Sequence, residues 1–184
     1  MFGPKINLFL MLIVALLITI ATFSPNWSVV KSKTDPTQDT SWGPMKSKPA
    51  DALDDDTKNS KCLKNTKKLL IGGMIMIIIA AMLALYDAEV TPLKAGIKSV
   101  SSVAMFIGSI LIIVSALTWT KKDGVCYPKA AVDVAGDKDT LSIKKGWAWW
   151  TVMLGGVIGI MVSASEAASA VGVGGKRRGF SFEF

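Results

Sequence analysis

Four apolar runs divide the chain, at residues 6–23, 69–86, 100–119 and 147–165, with polar segments between them. A helix rises 1.5 Å per residue, so about 20 apolar residues cross a hydrocarbon core about 30 Å thick. Lipid offers no partner to backbone N–H and C=O groups, so each run is predicted to be helical. The pattern predicts an all-α membrane protein, a four-transmembrane-helix bundle forming one integral domain over residues 1–184. Its polar segments are a long first loop (24–68), a short second (87–99), a third (120–146) and a basic tail (174–184). No A-x-A cleavage site follows the first run, which reads as a retained span.

Tryptophan and lysine mark the span ends. Trp147, Trp149 and Trp150 follow Lys144 and Lys145, Trp119 precedes Lys121, and Trp27 follows the first run. Amphipathic rings favour the headgroup layer, so these five tryptophans are expected to form an interface belt on one side. Small residues four apart recur inside the spans: Ala80 and Ala84, Ala104 and Gly108, Gly155 and Gly159, with Gly156 beside them. They are expected to let helices approach closely. Glu166 falls near the far interface, where a solvated carboxylate is expected; within the membrane it would suggest a proton or ion path.

Composition sharpens this picture. The 184 residues are 51% hydrophobic, yet the formal net charge is +7. Both properties fit one chain because they are segregated, apolar in the runs and charged in the loops. There is no histidine, which removes the commonest general base and metal ligand together. No Ser/His/Asp or Cys/His set is possible, the cysteines make no zinc spacing, and no enzyme activity, cofactor or metal is expected. "DALDDDTKNSK" from Asp51 lacks the glycine and final glutamate of a calcium loop. "GVGGKRR" fails as a phosphate loop, with Ala170 at the first glycine position and Arg177 after Lys176.

The two cysteines, Cys62 and Cys126, lie in the first and third loops and thus on one side, either as a disulfide or as free thiols. Orientation is contested. The first and third loops hold nine and six lysines, against Lys5, Lys94, Lys98, Lys176, Arg177 and Arg178 on the other side. The positive-inside rule then puts the two loops in the cytoplasm, while the tail pulls the other way. The sequon Asn26-Trp27-Ser28 is usable only on an exterior side.

Three short stretches carry a family resemblance: "SPNW" at 24–27, "SWG" at 41–43 and "GWAWWTVMLGG" at 146–156. With the long–short–medium loop layout, they resemble the claudin and peripheral-myelin-protein tetraspan superfamily. The resemblance implies adhesion or a barrier in the membrane plane, and would make Phe182 to Phe184 a ligand for a PDZ-type domain. The chain departs from it in cysteine pattern, since claudins pair two cysteines within the first loop and here Cys62 stands alone there. The first loop also shows no run of alternating strands.

Two functional readings result. One is a non-enzymatic structural protein, a scaffold or anchor in a larger assembly such as a viral membrane layer or an organelle complex. It would touch lipid and protein neighbours through its lysine-rich loops, with Lys176, Arg177 and Arg178 facing anionic headgroups or an acidic partner. No nucleic-acid partner is expected. The other is claudin-like adhesion. A small channel or carrier is a third, with Ser101, Ser102, Ser109 and Ser115 as its only candidate polar seam.

Overall fold

The computed structural model describes residues 4–32, 40–48, 61–89, 95–119 and 141–175. Cys126, the basic cluster Lys176, Arg177 and Arg178, and the C-terminal phenylalanines lie outside them. Four helices carry the apolar runs: α1 (Pro4–Phe23), α2 (Lys61–Glu89), α3 (Ala95–Trp119) and α4 (Trp147–Gly175). All four are long and apolar enough to cross a membrane. Helix α2 starts at Lys61, about two turns before its apolar run, because lysine and leucine are good helix formers whether or not lipid surrounds them. Helix α1 stops at Phe23, two residues before Pro25, which has no N–H to continue it.

The all-α expectation misses a sheet. Strands β1 (Ser28–Ser32), β2 (Thr40–Trp42) and β3 (Ser47–Lys48) come from the first loop, and β4 (Leu141–Lys145) from the third. Their order is β3-β2-β1-β4, with every neighbouring pair antiparallel. The longest ladder joins the two loops, running from Ser28 opposite Lys145 to Ser32 opposite Leu141. Strands β2 and β3, of three and two residues, are too short to display a period-two pattern, and the five-residue β1 and β4 come from different loops.

The helices contact one another in a closed ring: α1 on α2, α2 on α3, α3 on α4 and α4 on α1. Large apolar side chains point outward. Phe9, Leu16, Met82 and Leu154 are each at least 60% exposed. The buried seams repeat at three and four residues, as in Met11, Val14, Ile18 and Ala21 of α1, or Leu63, Thr66, Leu70, Gly73, Ile77 and Ala80 of α2. That is the heptad spacing of closely packed helices.

At the crossing of α2 and α3 the two backbones come close together. A Cβ on Gly73 would stand 2.8 Å from the Gly108 carbonyl oxygen, and one on Gly108 would stand 2.9 Å from that of Gly73. Gly155 meets Ile18 of α1, whereas Gly156 meets Ile113 and Gly159 meets Ser109, both of α3. Ala80 and Ala104 are buried and Ala84 is half-buried. Four of the five serines of α3 are buried too, and each of their hydroxyls donates to a carbonyl: Ser101 to Ala80, Ser102 to Ser163, Ser109 to Met105 and Ser115 to Ile112.

Neighbouring glycines give an internal control. Nothing lies within 4 Å of a Cβ on Gly72. Gly73→Ala should destabilise the protein by about 1–3 kcal/mol by forcing two backbones apart. Gly72→Ala should be neutral or stabilising by up to about 1 kcal/mol through helix propensity. Thermal unfolding of both variants in detergent checks this; equal effects would show that the crossing is not backbone-limited.

Candidate functional site: the sheet-bearing face

Trp27 joins the sheet to the helices. The chain leaves α1 through a tight turn, with Ser24 N donating to Ala21 O (3.3 Å) and Asn26 N to Ser24 Oγ (3.1 Å). This turn swings Trp27 back over the helix end, where its indole Nε1 donates to Ala21 O at 2.7 Å. Its backbone N–H donates to Trp42 O (3.2 Å), and its carbonyl accepts from Gly146 N (2.9 Å). Ala148 N completes the joint by donating to Asn26 O at 3.1 Å.

Two glycines make room for these bonds. A side chain on Gly43 would strike Ser24 O and the Trp27 ring, and one on Gly146 would strike Asn26 O. The stretches 24–27, 41–43 and 146–156, distant in sequence, therefore meet at one point. A second tryptophan closes the other side: the Trp27 and Trp119 rings meet edge to face, with centroids 5.7 Å apart. The Trp119 indole Nε1 donates to Ser28 Oγ at 2.9 Å. Trp149 reaches between helices, its Nε1 donating to Ala116 O at 3.0 Å.

The expected tryptophan belt thus divides. Trp27, Trp119 and Trp149 are buried in the protein, because each indole N–H finds an acceptor inside it that lipid could not supply. Trp147 and Trp150 are 50% and 54% exposed on the outer flank of α4. Trp42, which the belt did not include, ends β2 and is buried. Its position in "SWG" was the only signal for it. The sequon's Ser28 is fully buried and already holds Trp119. Glu166 is half-buried.

Cys62 opens α2 on this same face, and it is disulfide-bonded. Its Sγ stands 3.8 Å from the Thr118 carbonyl oxygen at the end of α3. The chain's other cysteine, Cys126, is outside the described residues. The face is also cationic. Among the described residues of 24–32, 40–48, 61–70 and 141–150, every charged residue is a lysine. Lys145 Nζ lies 3.9 Å from the centroid of the Trp149 ring, a cation–π contact.

No group of three or more His, Cys, Asp or Glu side chains able to hold a metal occurs among the described residues. What the arrangement can do is hold a small sheet at the ends of α1 and α3 and the start of α4. Comparison of the sequence with models of known protein families and with curated proteins finds no match.

Ser28→Ala removes the acceptor of the Trp119 indole and leaves a buried N–H unsatisfied. It should cost about 1–3 kcal/mol, seen as a lower thermal midpoint followed by tryptophan fluorescence. An unchanged midpoint would mean that the joint does not depend on this bond.

Proposed function

We propose that the chain is a non-enzymatic, multi-pass membrane protein whose sheet-bearing face stands in an oxidising compartment and serves as a contact platform for a neighbouring protein. The helices form a four-helix bundle in the bilayer, and the sheet caps it. The observation that carries this reading is the disulfide at Cys62. Disulfides persist in extracellular and lumenal spaces and are rare where thiols are kept reduced. Pairing with Cys126 would tie the first loop to the third, alongside the β1–β4 ladder. A scaffold that grips a cytoplasmic assembly through these loops does not fit a disulfide there.

Adhesion or barrier formation between adjacent membranes is therefore the favoured function. The meeting of the three family-like stretches around Trp27 supports the claudin-like comparison. The lack of histidine supports a non-enzymatic role. A transport path has little support, since the four buried α3 serines spend their hydroxyl protons on backbone carbonyls.

A membrane-impermeant maleimide applied to intact cells tests the orientation. Labelling of the two cysteines only after reduction is expected; labelling without reductant, and only in permeabilised cells, would overturn the reading. Fluorescently tagged protein should also concentrate where two expressing cells touch. Even distribution over the surface would remove adhesion from the proposal.

A further inference from the structure

Helix α2 changes character abruptly. Lys61, Lys64, Lys67 and Lys68 precede Leu69, where its apolar run begins, so the polar–apolar boundary falls between Lys68 and Leu69. At that level a recess of about 320 Å³ opens between α2 and α3, lined by Asn65, Lys68, Leu69 and Thr118. Lys68 and Asn65 are exposed, while Leu69 and Thr118 are half-buried. Lys61, Lys64 and Lys68 are spaced three and four apart, so they form one stripe leading to the recess. No carboxylate faces this stripe among the described residues of the sheet-bearing face.

We propose that this recess binds a membrane phospholipid with a net negative headgroup. The phosphate oxygens accept hydrogen bonds from the Lys68 ammonium and the Asn65 amide, and an acyl chain passes over Leu69 along the α2–α3 flank. Charge complementarity and depth select this occupant together. A stripe of Lys61, Lys64 and Lys68, with no acid among the described residues of this face, favours an anion. Leu69, at the start of an apolar run, gives the lower side of the recess a surface that free phosphate cannot use. The inference rests on α2 and α3 spanning the bilayer, and is independent of whether the platform mediates adhesion.

The test uses the full chain purified in detergent. Phosphatidylglycerol, phosphatidylcholine and inorganic phosphate are titrated separately, and retained lipid is counted by native mass spectrometry. The wild type should retain one phosphatidylglycerol in preference to phosphatidylcholine. Lys68→Gln should weaken that retention about fivefold, the contribution of one cation beside an anionic headgroup. Lys46→Gln, on the same face in the β2–β3 turn, should leave it unchanged. A photoactivatable phosphatidylglycerol should crosslink to residues 65–69 or 118. Equal retention by K68Q and wild type would overturn the proposal. So would equal losses in both variants, which would indicate diffuse attraction, or displacement of the lipid by inorganic phosphate. Thermal unfolding of K68Q matching wild type would confirm that the recess itself was compared.

Discussion

The structure depends on the joint made by Trp27. One residue ties the end of α1 by its indole, β2 by its N–H, the entry to α4 by its carbonyl and the end of α3 by its ring. Each bond is individually modest, about 1 kcal/mol net. Their geometry is nevertheless demanding, because a buried indole N–H or carbonyl left without a partner costs more than the bond contributes. Gly43 and Gly146 are part of the same device, since any side chain there would occupy the space through which the bonds are made.

Below the joint, in the bilayer that the proposed function assigns to these helices, a different physics operates. In lipid there is no water for apolar side chains to escape, so helices gain little by hiding leucine and isoleucine. They gain by close contact, and the seams accordingly set glycine, alanine and serine among fully buried residues such as Met11, Ile18, Leu70 and Ile77, while many large side chains turn outward. Serine serves this packing well because its hydroxyl can be satisfied by a carbonyl on its own helix, as at Ser109, or on a neighbour, as at Ser102.

The spans were legible from the sequence because length and hydropathy suffice to define them. The crossing at Gly108 was legible because a small residue four after Ala104 announces a seam. Its partner Gly73 was not, since it sits beside Gly72 and only three-dimensional register distinguishes the two. The sheet was hidden because its strands are short and its longest ladder joins residues more than a hundred positions apart. The tryptophans misled for a related reason. A ring at the end of an apolar run suits either lipid or a tertiary joint, and only the location of an acceptor for its N–H decides between them. The lysine stripe of α2 could be read from spacing, but the recess beside it required α3.

The route of the chain through this joint carries a mechanical consequence. Strand β4 passes into α4 through Gly146 alone, and β1 follows α1 after a four-residue turn. The two paired strands are thus continuations of two helices that also touch each other. One residue separates β4 from α4 and four separate α1 from β1, so a force that tilts the sheet acts directly on α1 and α4.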